Sequence, residues 1–350
     1  MMVLRRVQKN DLDGILSLAT TAGVGLTSLP PERDTLQQRI AHALESFERL
    51  VREPRDEMYL FVLENIDTGS ITGVSAIEAA LGLTLPFYSY RILHQTRINH
   101  EMAIRNDHDL LHPVNDFQGA SELCTLYLAP PWRHGGNGLL LSRARFLYMA
   151  NFPNRFAKTV IADMRGISDE SGCSPFWEAV GRHFFQMDFA KADQLTATTN
   201  KQFIADLMPK HPIYVSLLPK EAQAVIGKPH PSSVAAMNML LQEGFHPTGC
   251  VDIFDAGPTI EAETRRVRTL ANSRVFTIKT LSDSISSRTY LIANTRADFR
   301  ASMGKSIVNM EKNTCLLDRH TAEHLGIKPG DCVRIAPLHA NESPQFQEHS

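Results

Sequence analysis

The chain is predicted to be a mixed α/β protein. Three observations carry that prediction. Short strand-like apolar runs alternate with helix-period runs over residues 1–195. A glycine-bearing loop, Arg133–Gly138, joins one of those strands to an apolar helix. The 350 residues are 43% hydrophobic and 21% charged, an ordinary globular balance that can bury sizeable cores.

Val3 to Val7 reads as a first strand, and Asn10 and Asp11 as caps of a helix that carries Leu12, Ile15, Leu16 and Ala19 on one face. After Pro30 and Pro31, the spacing of Leu36, Ile40, Leu44, Phe47 and Val51 predicts a second helix. Met58 to Glu64 and Ile71 to Glu78 flank Asp67-Thr68-Gly69-Ser70, a hairpin pattern. Residues 83–114 hold His94, His100, His108 and His112 among aromatics and charges. His108 and His112 would share a helix face, but Pro113 and the polar run before it weaken that helix. A solvated loop is expected there, and no metal site.

Leu123 to Leu128 reads as a strand, about Leu139 to Met149 as a helix, and Thr159 to Met164 as the next strand. Ser174-Pro175 opens a helix through PFWEAVGRHFF. The resulting order, β–α–α–β–β–β–loop–α–β–α, suits a mixed sheet. Ser232 or Ser233 is expected to cap a helix that Gly244 ends, with Val251 to Phe254 as a strand. This second pattern has the form of a degenerate copy of the first. Lys328-Pro329-Gly330-Asp331 predicts a type II turn before a strand from Cys332 to Ile335. The expected division is a first domain over 1–195, a degenerate second lobe over 196–268, a small β-rich region over 269–340 and a frayed tail over 341–350.

The formal net charge of −2 gives no global basic field for nucleic acid. Five scattered cysteines, with no CxxC pair, argue against a disulfide framework or a cysteine zinc site. Cys124, inside an apolar run, is expected to pack rather than to react. No signal-peptide core and no membrane-length apolar run is found, so a cytoplasmic protein is expected.

The chemistry is concentrated in Arg133-His134-Gly135-Gly136-Asn137-Gly138. Glycines let successive backbone N–H groups converge on an anion, and the following helix adds the positive end of its dipole. Arg133 adds a cation at the rim. The loop is neither a Walker A loop nor a dinucleotide fingerprint. Its RxxGxG spacing, in this order of elements, resembles the acyl-CoA pyrophosphate loop of the GNAT acyltransferases. That resemblance implies a GNAT-like fold, with two GNAT-like lobes and a small C-terminal β-rich segment. It implies too that the strand Leu123 to Leu128 splays from its neighbour and offers backbone groups to the pantetheine arm.

Longer blocks resemble the arginine N-succinyltransferase family. They are Gly25-Leu26-Thr27-Ser28-Leu29-Pro30, Ser121 to Leu128, Trp132-Arg133 leading into Gly136-Asn137-Gly138, and Met164-Arg165-Gly166. Further on come SPFWEAVGRHFFQMDFAKAD, Leu207 to Tyr214, Gly227-Lys228-Pro229-His230-Pro231 and Asp252 to Thr259. The blocks span most of residues 1–268, with a weaker echo around Gly326 to Ile335. The resemblance implies that succinyl-CoA is the co-substrate, L-arginine the acceptor and N2-succinyl-L-arginine the product, as the first step of arginine catabolism. It implies no tightly bound cofactor and no metal. It further implies small-molecule partners without nucleic acid or membrane, and a homo-oligomer or a hetero-oligomer with a paralogous subunit.

By the same resemblance, His230 is the proton donor and Leu126 a succinyl-CoA contact, while the GNAT-like loop puts Arg133, Gly136 and Gly138 at the phosphates. Unaided, His230 between two prolines is one of fourteen histidines, and His211, which also precedes a proline, is its rival. An arginine acceptor calls for carboxylates around the guanidinium and a cation for the α-carboxylate. Candidates are Glu122, Asp163, Asp188, Asp252, Asp255 and Glu261 for the first, and Arg165 or Lys210 for the second. The alternatives are a GNAT enzyme acting on ornithine or another amine, and a non-catalytic subunit of a heteromer.

Overall fold

A computed structural model describes residues 1–22, 26, 28–169, 172–198 and 202–339, with no side chains at 197 and 198. Gly25 and Thr27 of the first block that resembles the family, and the tail from 341, lie outside the described residues. The first part of the chain runs β1 (Met2–Arg6), α1 (Leu12–Ala22), α2 (Arg33–Glu48), β2 (Met58–Asn65), β3 (Ser70–Glu78), β4 (Ser89–Asn99), β5 (Ile104–Val114), β6 (Ser121–Leu128), α3 (Asn137–Asn151) and β7 (Thr159–Asp163). Then follow α4 (Pro175–Ala179), α5 (Gly181–Phe185), α6 (Phe189–Thr198), α7 (Gln202–Leu207), β8 (Ile213–Tyr214), α8 (Lys220–Val225), α9 (Val234–Gln242), β9 (His246–Val251) and β10 (Pro258–Glu263). The C-terminal part holds α10 (Arg268–Ala271), β11 (Arg274–Ser282), β12 (Thr289–Asn294), β13 (Arg300–Asn309), β14 (Thr314–Asp318), α11 (Arg319–Leu325) and β15 (Cys332–Pro337).

The fold is mixed α/β. One sheet runs in the order β12-β15-β11-β14-β13-β1-β2-β3-β6-β7-β10-β9-β4-β5-β8. An added β12–β13 pairing closes the five C-terminal strands into a small barrel, and β13 pairs β1 to join it to the main sheet. The main core holds Phe47, Tyr59, Phe61, Tyr148 and Phe299, packed edge to face or tilted at 5.1–5.8 Å. Such aromatic contacts add to the burial of the rings themselves.

Most expected elements lie where the apolar patterns put them, and the departures have local causes. Asp11 does not cap α1 directly. Its carboxylate accepts two bonds from Arg5 (2.8 and 2.9 Å) and one from the Gln8 N–H (2.7 Å), closing a 3₁₀ turn before the helix. The run PFWEAVGRHFF is two short helices. Ser174 caps the first, Val180 breaks the line, and Gly181 lies where a Cβ would meet the Trp177 ring at 2.1 Å. The strand expected over Val251 to Phe254 is instead His246–Val251. Asp252 ends it, accepting the N–H groups of Phe254 (2.7 Å) and Asp255 (3.0 Å) in an Asx turn. Pro329 and Gly330 (φ 93°) make the type II turn, with Asp331 N–H donating to Lys328 O at 3.0 Å.

Residues 89–114 correct the loop reading. They form a long β4–β5 hairpin in continuous register from Ser89↔Val114 to Asn99↔Ile104. Only Tyr90 and Arg91 reach β9, and only Leu110 and Leu111 reach β8. The ribbon beyond them is mostly exposed on both faces, so its sequence carries no apolar stripe of period two. His108 and His112 are therefore strand residues about 13 Å apart, at the usual strand rise, and not helix neighbours.

Candidate active site

Burial and topology place four parts of a site around the junction of β6 and β7. These two strands are parallel and pair only at Ser121↔Val160 and Glu122↔Ile161. Beyond that rung they diverge. The rest of β6 therefore has β3 on one side and a cleft on the other, with Glu122 at the apex. Leu126 lies on this splayed portion, partly buried against the main core.

β6 is also kinked. Val74 pairs Tyr127 and Ala76 pairs Cys124, so Thr125 and Leu126 together oppose Ser75. This is a bulge. Thr125 takes φ 53°, a conformation costly for a β-branched side chain. Ser28 holds it there: Thr125 N–H donates to Ser28 Oγ and Thr125 Oγ1 donates to Ser28 O, both at 3.1 Å. Cys124, just before the kink, is partly buried, and burial pushes its thiol up, out of the range of a nucleophile.

The glycine loop follows β6. Gly135 (φ 62°) and Gly136 (φ 83°) are both left-handed, and α3 begins at Asn137. The buried Asn137 side chain donates to Trp132 O at 3.0 Å and fixes the loop to the turn before it. A Cβ at Gly135 or Gly138 would meet nothing within 4 Å. Asn137 N–H is taken by His134 O at 3.1 Å, and the next turn of this 15-residue helix, at Gly138, opens onto free space, an arrangement suited to an anionic oxygen group. Arg133 is exposed. It donates to Leu128 O at 2.9 Å and lies 5.8 Å from the Tyr127 ring, leaning over the end of β6.

His230 reaches the same junction from far along the chain. Gly227 (φ 72°) turns the backbone, Pro229 bridges Gly166, and His230 N–H donates to Arg165 O at 2.7 Å. The histidine segment is thereby tied to the residues that continue β7. Imidazole Nδ1 lies 2.7 Å from Ser232 Oγ and accepts the Ser232 backbone N–H at 3.2 Å. A backbone N–H can only donate, so in the neutral ring the proton sits on Nε2. Burial, then the Arg165 charge, lower the pKa of His230, against a backbone hydrogen bond at Ser168 that raises it. The rival His211 is exposed next to β8, five strands along the sheet from β7.

Three of the six candidate carboxylates meet here. β10 pairs β7 with Thr259 opposite Asp163, and Thr259 donates to Asp163 Oδ1 at 2.5 Å. Asp252 and Asp255 lie in the turn that leads into β10. Asp255 is spent on structure: its oxygens accept Gly166 N–H (2.7 Å) and Gly257 N–H (2.8 Å) where the two chains cross. Burial and then the neighbouring Asp252 push Asp163 up to about 7, and burial raises Asp252 and Asp255 as well. Arg165 stands beside them, with Nη2 donating to Ser168 Oγ at 2.7 Å and its buried Nε without a hydrogen-bond partner among the described residues. Of the others, Asp188 pairs Arg182 at the surface (2.7 Å), Lys210 is exposed, and Glu261 lines a separate open hollow with Arg91 and Lys158.

The sequence reading missed two participants, Ser28 and Ser232. Ser232 could have been noticed from its place two residues after His230. Nothing in the sequence marks Ser28 as a partner for residue 125.

A splayed parallel pair, a bulged strand and a glycine loop at a helix N-terminus define an acyltransferase of the GNAT type, which uses an acyl-CoA co-substrate. The chain belongs to the arginine N-succinyltransferase family. The family model described as arginine N-succinyltransferase beta subunit matches residues 2–269, and the model of that subunit's C-terminal domain matches residues 274–337. The chain is 44% identical over 341 residues to the arginine N-succinyltransferase of an Enterobacter species, covering 97% of this chain and 98% of that one. It is 44% identical over 342 residues to the arginine N-succinyltransferase subunit beta of Pseudomonas aeruginosa, covering 97% and 99%. A solved structure of subunit AI of the arginine/ornithine succinyltransferase of Pseudomonas aeruginosa superposes with a TM-score of 0.86 at 37% identity, covering 97% of this chain and 99% of that one. Among the described residues no helix is long and apolar enough to cross a membrane.

Proposed function

We propose that the chain transfers the succinyl group of succinyl-CoA to the α-amine of L-arginine. The observation that carries this reading beyond the family's name is the convergence of His230, Arg165, Asp163 and Asp252 at the end of β7, beside the cleft. The two half-buried aspartates suit a guanidinium, and Arg165 suits the α-carboxylate. The amine nitrogen attacks the thioester carbonyl carbon, and a tetrahedral oxyanion forms. As the oxyanion collapses, the C–S bond breaks, the amide remains, and a proton passes to sulfur. His230, neutral at rest with its proton on Nε2, gives that proton to the sulfur, and the amine's proton takes its place on the ring. Leu126 contributes backbone on the cleft side of β6, while Arg133, Gly136 and Gly138 take the phosphates.

The same proposal makes the protein cytoplasmic, with no resident cofactor, and an oligomer of identical or paralogous chains. It also keeps a division into units at 1–195, 196–268 and 269–340. Ornithine is the second acceptor to test, because the solved relative is a subunit of an arginine/ornithine succinyltransferase. The experiment mixes protein with succinyl-CoA or acetyl-CoA and a panel of amino acids, and follows free thiol. Thiol release with arginine supports the reading. No release above background with any amine would favour the non-catalytic subunit.

Two outcomes are specific. Succinyl-CoA should exceed acetyl-CoA in kcat/KM by about tenfold or more, because a site built for a carboxylate is left unpaired by acetyl; equal values would leave only a general acyltransferase. Asp163→Asn and Asp252→Asn should each raise KM for arginine by roughly tenfold, the worth of a charged hydrogen bond, and leave KM for the acyl donor within twofold. An unchanged arginine KM in both would move the guanidinium elsewhere.

A further inference from the structure

Arg145 is 1% exposed, in the middle of α3. Among the described residues no carboxylate forms an ion pair with it. Its neighbour Arg143 differs: it pairs with Glu243, which in turn pairs with Arg268. A buried cation without a counter-ion is expensive, and a chain that needed only packing would place an apolar residue there. The guanidinium of Arg145 spends its donors on oxygen atoms instead. Nε donates to Ser142 O (3.1 Å) and Nη2 to Ser142 Oγ (3.4 Å), both within α3. Nη1 donates to two sheet carbonyls, Ala76 O (3.2 Å) and Cys124 O (3.4 Å).

Those two carbonyls belong to the paired residues that border the bulge, since Ala76 lies opposite Cys124 and the next residue is Thr125 at φ 53°. The kink is therefore gripped from two directions. Ser28 takes the amide and hydroxyl of Thr125, and Arg145 takes the carbonyl immediately before it. Burial lowers the Arg145 pKa to about 10, which still leaves the group charged near neutrality. Its charge polarises both carbonyls and cannot be exchanged for a hydroxyl or amide without loss.

We propose that Arg145 is a positioning residue for acyl transfer: its guanidinium locks the β6 bulge, and so sets where the cleft-facing backbone of β6 meets the acyl-CoA thioester. This rests on the reading of the β6–β7 cleft as the acyl-CoA site. The helix that carries Arg145 also begins at the phosphate loop. One rigid element then fixes both ends of the co-substrate, its phosphates at the N-terminus of α3 and its thioester through the bulge.

The test uses the full chain and two variants, Arg145→Lys and Arg145→Met. Lysine keeps the charge and can reach one carbonyl; methionine fills the space without charge. The measurements are kcat, KM for the acyl donor, affinity for CoA by calorimetry, melting temperature, and amide hydrogen exchange at 124–128. The expected result for Arg145→Met is a kcat lowered about 30- to 100-fold, the scale of a reacting group displaced by about 1 Å. CoA affinity should stay within threefold, exchange at 124–128 should speed up at least tenfold, and Arg145→Lys should recover part of both losses. A methionine variant with wild-type kcat and wild-type exchange overturns the proposal, as does a lysine variant that melts like the wild type yet shows no recovery over methionine. If methionine prevents folding, the lysine variant alone decides by its exchange and kcat. Were the wild-type protein to transfer no acyl group to any amine, the functional reading would fall, while exchange at 124–128 would still judge the grip on the bulge.

Discussion

His230→Ala should lower kcat with arginine by roughly 10²–10⁴, the usual worth of a positioned acid–base group. Affinity for the acyl donor should barely change, because the phosphate loop at Gly135–Gly138 is a separate element on the other strand of the splay. The melting temperature should also hold within a few degrees. His230 is half-buried, and the segment is anchored by its backbone N–H to Arg165 O, which alanine keeps. Two other roles predict different numbers. A histidine that only orients the acceptor would raise KM for arginine and spare kcat, and a bystander would change neither. Steady-state rates with arginine varied at saturating succinyl-CoA separate the three. A folded variant that keeps more than about a third of wild-type kcat would falsify the assignment, since that loss is far below what acid–base catalysis contributes.

Gly136→Asp should weaken CoA binding by well over tenfold, more than about 1.4 kcal/mol. Two separate causes act. At φ 83° any L side chain is strained, and a Cβ there would come 3.1 Å from the Met303 sulfur. The aspartate charge then opposes the pyrophosphate at the point where the helix dipole favours an anion. Gly136→Ala carries the first cause without the second and should fall between wild type and aspartate. Calorimetry with CoA distinguishes them. Equal affinity for all three folded proteins would take this loop out of the site.

The parts of the fold that could be read from sequence are those with near-continuous apolar runs or with local chemistry. β2 and β3 around Asp67–Ser70 and the apolar α3 are buried on nearly every side, and the Pro329-Gly330 turn has local chemistry. The β4–β5 ribbon was illegible because it buries neither face along most of its length. The glycine loop could be read because its chemistry is contiguous. The carboxylates could not be ranked, because Asp163 meets Asp252 only through the pairing of β7 with β10, a contact between residues about a hundred positions apart. The Thr125 kink was hidden for another reason: threonine ordinarily favours strands, and its strained torsion is imposed by Ser28 and the surrounding packing.

The β13–β1 pairing reaches beyond the site. Residues 300–302 of the C-terminal barrel pair with Val3, Leu4 and Arg5 along one edge of β1, while Ser302 Oγ donates to Met2 O at 2.8 Å. Arg143 in α3 also donates to Leu338 O, and Met303 lies under the glycine loop. A gene fragment ending near residue 270 would therefore encode a sheet with a bare border of Val3 and Leu4, the kind of border that recruits other chains. The two matched regions are separable as stretches of sequence but share one sheet: removing either one opens the edge that the other closes.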